Sequence, residues 1–267
     1  MMEDILVMFA SQSDEKTYKQ IIKVLDSEKA DYALVFASAH KTPDDVNELL
    51  SQHNPKVIIS GAGLAAALPG VLAAKTIRPV IGVPCIGNYQ GLDALLTIMQ
   101  MPPSIPVLGV GVNKGDVAAR AAIMMLKKHD SLTLVGDQEH AVFRKADALL
   151  EQFKVNHLHS SEINSNGLTV VFTEFDEPRE ESQSLVIYCP LVPEKDDKAE
   201  AALNLLEHTQ HGLWVGLNNG MNAALAAIEI LNLDNKFESQ LLEYRREQAE
   251  KVRGYNKKID KGQSLKK

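Results

Sequence analysis

Short apolar runs alternate with amphipathic stretches along the first half of the chain. Ile5-Leu6-Val7-Met8-Phe9 reads as a buried strand. Asp14 to Glu28 reads as a helix, with Tyr18, Ile21, Ile22 and Leu25 at helical spacing. Tyr32 to Ala37 is the next strand, and Pro43, followed by Asp44 and Asp45, opens a helix that runs to Ser51. Val57-Ile58-Ile59 leads into Gly61-Ala62-Gly63, and a helix starts near Leu68 or Pro69. Val80 to Pro84 is a strand and Leu92 to Met99 a helix. Val107 to Val112 and Asp116 to Lys128 form the last strand–helix pair. Five apolar strands alternating with helices predict a parallel, three-layer, doubly wound sheet.

The second half repeats this pattern in worn form. Leu213-Trp214-Val215-Gly216-Leu217-Asn218-Asn219-Gly220 follows Leu108-Gly109-Val110-Gly111-Val112-Asn113-Lys114-Gly115 at an offset of 105 residues, and the helical positions Ala223, Ala227 and Leu231 keep it. Val186-Ile187 and Pro190 follow Val80-Ile81 and Pro84 at 106, and Leu149-Leu150 follow Val24-Leu25 at 125. Three ordered matches on like elements point to an internal duplication. The boundary is expected near His129-Asp130-Ser131, giving domains 1–129 and 130–267. The falling offset implies that about 20 residues are missing from the second copy between its first helix and its last strand. That copy has neither Ser-Ala-His nor a glycine-rich loop, and a charged loop, Glu174 to Glu181, takes their place. It is expected to be a degenerate, non-catalytic scaffold.

At 267 residues the chain suits two domains of ~150 residues or one large one. The net charge of −7 disfavours nucleic acid and anionic membranes as partners. The only cysteines, Cys85 and Cys189, make no disulfide framework, and the start runs straight into a strand. A cytoplasmic location is the expectation. No apolar run reaches the ~18 residues of a membrane span.

Four loops of the first half fall on the C-terminal edge of its sheet, where open parallel sheets bind ligands. Ala10-Ser11-Gln12-Ser13-Asp14 offers hydroxyls and a helix N-terminus to an anion, or a plain helix cap. Ser38-Ala39-His40-Lys41-Thr42-Pro43 sets a proton-transfer group beside a cation, or is a surface turn. Gly61 to Gly70 leaves room for backbone to approach a ligand, or for tight helix–strand packing. Cys85 to Gly91, with Gln100-Met101-Pro102-Pro103, can line a pocket or simply connect elements. No Walker pattern and no metal-ligand cluster is evident.

Taken together these loops resemble one family. Ser-x-Ser-Asp, Ser-Ala-His-Lys-Thr-Pro, Gly-Ala-Gly-x-Ala-Ala-x-Leu-Pro-Gly, Pro-Val-Ile-Gly-Val-Pro and Gln-Met-Pro occur in the order and spacing of the phosphoribosylaminoimidazole carboxylase catalytic subunit. That family includes the carboxyaminoimidazole ribonucleotide mutases of purine synthesis. The resemblance covers residues 3 to about 127 and implies two flavodoxin-like domains, the second degenerate. It implies that Ser11, Ser13 and Lys41 hold a ribonucleotide 5′-phosphate, that Asp14 binds ribose hydroxyls, and that His40 is the general acid–base group. Ser38, Gly61, Ala62, Gly63 and Leu68 would complete the substrate pocket, with CO2 or bicarbonate as co-substrate and no metal or other cofactor. Family members form octamers with sites between subunits, so a fused pair would assemble as a homotetramer. The basic tail after Tyr244 would reach a neighbouring pocket.

The chain also departs from the pattern. The mutase branch has arginine where Lys41 stands and histidine where Ala67 stands. Lysine at the first position is similar to the branch that carboxylates directly with CO2, which carries Arg-Ser-Asn where this chain has Gly63-Leu64-Ala65. Two other readings stand beside the enzyme: a non-catalytic nucleotide-binding module, and a carboxylase of another heteroaromatic mononucleotide.

Overall fold

A computed structural model describes residues 3–129, 131–175, 182–193 and 198–260. The first half runs β1 (Ile5–Phe9), α1 (Glu15–Ser27), β2 (Tyr32–Phe36), α2 (Pro43–His53), β3 (Val57–Ala62), α3 (Leu68–Ala73), β4 (Val80–Pro84), α4 (Leu92–Met99), β5 (Leu108–Gly109) and α5 (Gly115–Met125). The second half runs β6 (Leu132–Val135), α6 (Ala141–Gln152), β7 (His157–Ser160), β8 (Leu168–Thr173), β9 (Leu185–Pro190), α7 (Lys198–His208), β10 (Leu213–Trp214), α8 (Gly220–Leu231) and α9 (Glu238–Asp260). No helix among the described residues is long and apolar enough to cross a membrane.

The expectation of a mostly parallel α/β sheet holds, but the two halves do not keep separate sheets. All ten strands form one sheet, ordered β2-β1-β3-β4-β5-β10-β9-β8-β6-β7. Pairing within each half is parallel, and β5 meets β10 antiparallel through the single pair Trp214 and Gly109. Read outward from that junction, both halves have the same order.

Strand alternation sorts the core into layers. Ile5, Val7 and Phe9 join Val57, Ile59 and residues of α1, α5, α6 and α8 in one cluster that crosses both halves. Leu6, Met8 and Ile58 face the other way, onto α2, α3 and α4. At the junction Trp214 is 1% exposed, stacks on Tyr188 at 4.6 Å, and donates its indole N–H to the His211 carbonyl at 2.7 Å. Two glycines admit the close contact of the halves. A Cβ on Gly111 would stand 2.6 Å from the Thr209 carbonyl oxygen, and one on Gly216 would stand 2.7 Å from that of Met99.

Matching turns recur in the two halves. Lys29 and Lys154 both end their helices in the left-handed region, at φ 54° and 56°. Asn113 and Asn218 are both left-handed, at φ 58° and 54°, and each donates its backbone N–H to a strand-end proline carbonyl, Pro84 and Pro190, at 2.8 Å.

From its first strand to α8, the counterpart of α5, the second half is shorter than the first because, among the described residues, no helix follows β7 or β8. This is the interval from which the offsets indicated a loss. Residues 176–181 of the charged loop, and 261–267 of the basic tail, lie outside the described residues. Before that point α9 is anchored by an Arg245–Glu229 ion pair at 2.9 Å and by Tyr244 against Phe153.

Candidate active site

β1 ends at Phe9 in register with Phe36 of β2 and Gly61 of β3. The chain passes from β1 to β2 on one side, then crosses β1 to reach β3. The loops after these strands therefore flank a topological switch point, the place where doubly wound sheets take ligands.

After β1, Ser11 is extended and caps a short 3-10 turn over Gln12–Asp14. Its hydroxyl accepts the Ser13 amide hydrogen at 3.1 Å and lies 2.8 Å from the Ser13 hydroxyl. Both serines are exposed. They stand at the N-terminus of α1, whose dipole favours an anion. Asp14 is half-buried, and that burial raises its carboxyl above the ordinary range.

After β2, residues 38–42 bond to themselves. The Ser38 hydroxyl accepts the Lys41 amide hydrogen at 3.3 Å, and the Ser38 amide donates to the Thr42 hydroxyl at 3.0 Å. Thr42 also donates its amide to the Ser38 carbonyl at 2.9 Å, and Pro43 then starts α2. This closed turn presents His40 and Lys41 to solvent. Thr42 is the lock, a role not assigned from sequence.

The glycine loop divides in two. Gly61, Ala62 and Leu68 are buried within β3 and α3. A Cβ on Gly61 would lie 2.1 Å from the Phe9 ring, so its glycine serves packing against β1. Backbone is thus what Gly61 and Ala62 can offer a ligand, and Leu68 packs in the core. Gly63 alone of the set faces the site: a Cβ there would come within 3.6 Å of the Cys85 carbonyl oxygen and 4.0 Å of Asp14 Oδ1. Strain gathers in these same loops, with Ala65, Tyr89 and Gln90 left-handed at φ 49°, 52° and 57°.

Asn113 ties the fourth loop to α1. Its side-chain oxygen accepts from the Thr17 hydroxyl at 3.1 Å and from the Ile86 amide at 2.9 Å. Asn218 accepts the Val192 amide in the same way at 2.9 Å. Neither Thr17 nor Asn113 was singled out as a site residue, although the repeated Asn-x-Gly at 113 and 218 was the available signal. Cys85 is buried, and that burial, with Asp14 nearby, pushes its thiol up to about 12, so it is no nucleophile at neutral pH.

Comparison with known proteins bears on this edge. The family model for AIR carboxylase matches residues 4–136. The N5-carboxyaminoimidazole ribonucleotide mutase of Methanocaldococcus jannaschii is 42% identical over 126 residues, 47% of this chain and 80% of the relative. The chain belongs to the AIR carboxylase family. The mutase of Pyrococcus abyssi is 44% identical over 129 residues, 47% of this chain and 74% of that protein. A phosphoribosylaminoimidazole carboxylase of Candida glabrata is 37% identical over 153 residues, 54% of this chain and 27% of that one. The family match takes in all four loops and β6, and ends one residue beyond that strand.

Proposed function

We propose that this chain forms 4-carboxy-5-aminoimidazole ribonucleotide in purine synthesis. The carboxyl group comes from the N5-carbamate isomer or directly from CO2. The observation that carries this is the pairing of Ser11-x-Ser13-Asp14 with Ser38-Ala39-His40-Lys41 on adjacent strand ends, inside the segment that matches the family. Ser11, Ser13 and Lys41 hold the 5′-phosphate at the N-terminus of α1, and Asp14 takes the ribose hydroxyls. The Gly63 backbone, the Ser38 turn and the backbone of Gly61 and Ala62 shape the wall, with Leu68 packed in the core behind them. On the carbamate, His40 delivers a proton to N5 as the N–CO2 bond breaks. The freed CO2 then bonds to C4, and His40 takes the C4 proton. One histidine serves both steps, and the sum is an isomerisation with no cofactor.

Purified protein given aminoimidazole ribonucleotide with bicarbonate, and separately the carbamate, tests this. Turnover of the carbamate without added CO2 marks a mutase, and turnover only with CO2 marks a direct carboxylase. Turnover of neither overturns the proposal in favour of a non-catalytic module.

Asp14 also links binding to stability. Its raised folded value means the unfolded chain ionises first as pH rises. Stability therefore falls across that window and stays lower above it. Asp14→Asn is expected to raise the melting temperature at pH 7 while weakening ribonucleotide binding about tenfold or more, measured by thermal melts and calorimetry. A lower melting temperature, or unchanged affinity, would contradict the assignment.

We infer further that the active form is a homo-oligomer, a tetramer of fused pairs. Leu64, Ile86 and Tyr89 are 73%, 61% and 79% exposed in the loops around the same edge, where a neighbouring chain would cover them. A monomeric mass by light scattering in fully active protein would refute this. The shared strand order and the matched turns at Lys29/Lys154 and Asn113/Asn218 support tandem duplication into 1–129 and 130–267. Failure of the two five-stranded halves to superpose would remove that reading.

A further inference from the structure

The sequence shows no obvious metal-ligand cluster, yet folding assembles one on the outer edge of the second half. β7 carries His157 and His159 two residues apart, so both imidazoles lie on one face of the strand. Asp147 of α6 meets that face. Its Oδ1 lies 2.8 Å from His157 Nε2 and 2.7 Å from His159 Nε2. The three candidate ligand atoms all lie within 4.8 Å of one another.

The hydrogen bonds of His157 show what this arrangement wants. Its Nδ1 is 2.9 Å from the Val155 carbonyl oxygen, which can only accept, so Nδ1 carries the hydrogen. In the neutral ring Nε2 then directs a lone pair at a carboxylate oxygen that also has only lone pairs. Two acceptors at that distance repel unless a cation stands between them. A histidine that donates one ring N–H to a backbone carbonyl, and aims the other nitrogen at a point shared with a carboxylate, is held as metal-bound histidines are held. The edge of the Phe143–His159 ring pair, 5.2 Å between centroids, steadies the second imidazole.

We propose that Asp147, His157 and His159 bind a divalent transition cation of the zinc class. Two imidazole nitrogens and one carboxylate oxygen suit that class, whereas magnesium and calcium take all-oxygen sets. Ligand atoms around a tetrahedral zinc, with bonds of about 2.0–2.1 Å, stand about 3.3 Å apart. Binding thus spreads the observed contacts by about half an ångström, within the reach of side-chain rotation. His159 is 32% exposed at its side chain, giving the ion an entry and a fourth position open to water. The ion would clip β7 to α6. That strand is mostly exposed and pairs only with β6, so it is the element of the sheet most in need of a second fastening. The site lies in the half that lacks the His40 loop, so its role is structural.

The test uses the full chain, stripped of metal with a chelator and dialysed. Zinc is titrated by calorimetry and its effect on the melting temperature recorded, with magnesium as control. The expected result is one zinc per chain at this site and a melting temperature that rises with zinc but not with magnesium. His159→Gln and Asp147→Asn should each weaken zinc binding about 10- to 100-fold and remove the zinc-dependent rise. His159 is partly exposed, so His159→Gln should melt like the wild type once zinc is removed, which keeps the test decisive if Asp147→Asn folds poorly. Variants that titrate like the wild type, or a wild type that takes up no zinc at micromolar concentrations, would overturn the proposal.

Discussion

His40→Asn is expected to lower turnover by a factor on the order of 10²–10⁴ while leaving the melting temperature unchanged. Under the proposed mechanism the loss falls on the chemical step, since His40 is the group assigned to deliver a proton to N5 and remove one from C4. Asparagine keeps roughly the size and polarity of imidazole but can do neither. The fold should not notice the change. His40 is exposed, in a turn closed by Ser38 and Thr42 rather than by its own ring, and exposed substitutions away from special contacts stay within about 0.5 kcal/mol. Affinity for the ribonucleotide, which the proposal assigns to Ser11, Ser13, Asp14 and Lys41, should change much less than turnover. Initial rates on the carbamate, or on aminoimidazole ribonucleotide with bicarbonate, are the measurement, with a thermal melt alongside. Turnover within a few-fold of wild type would remove His40 from the proton steps.

Arg245→Ala has the largest expected effect on stability. Glu229 is 2% exposed in the last turn of α8, and burial pushes its carboxyl up to about 7 even with the Arg245 guanidinium 2.9 Å away. Removing the arginine leaves an unpaired buried acid and releases α9, at a cost of about 3–5 kcal/mol where Glu229 must be charged. The sign with pH follows from the raised value. Glu229 ionises near 4.5 in the unfolded chain and near 7 in the folded one, so its contribution is complete below about 4.5 and is lost as pH rises through about 7. Without Arg245 the folded value rises further. The variant should therefore lie closest to wild type near pH 5 and furthest from it near pH 8. Glu229→Gln in the same chain should recover part of the loss. Urea unfolding at several pH values decides it, and a small deficit that does not vary with pH would show the pair to be unimportant.

The first half was largely legible in the sequence. β1, β4 and α4 end where the apolar runs end, because strands buried on both faces read as unbroken apolar stretches. β5 was not: a run expected from Val107 to Val112 gives a two-residue strand. The chain leaves the sheet after Gly109, and Gly111 then packs against the Thr209 carbonyl just past the end of α7, a contact more than ninety residues away in sequence that no local pattern records. The candidate site divides in the same manner. Ser11, Ser13, Asp14, His40 and Lys41 could be read from motif and position, since loops after parallel strands must share one edge. The packing duty of Gly61 depends on the Phe9 ring of β1, and the bridge from Asn113 to Thr17 and Ile86 depends on a fold in which α1 meets the loops after β4 and β5.

By itself the sequence determined the element types and the parallel pairing within the first half, and it pointed to the repeat and to the loops proposed to carry the chemistry. These follow from periodicity, strand–helix alternation and short motifs, all of which are local or recur at fixed offsets. Only the tertiary structure decided that the two halves share one sheet, joined where Gly109 meets Trp214. It alone showed that, among the described residues, no helix follows β7 or β8, and that Asp147, His157 and His159 converge. Each of these is a meeting of surfaces from distant segments. Shape, burial and hydrogen-bond direction set such meetings, and those properties arise only when the chain is packed.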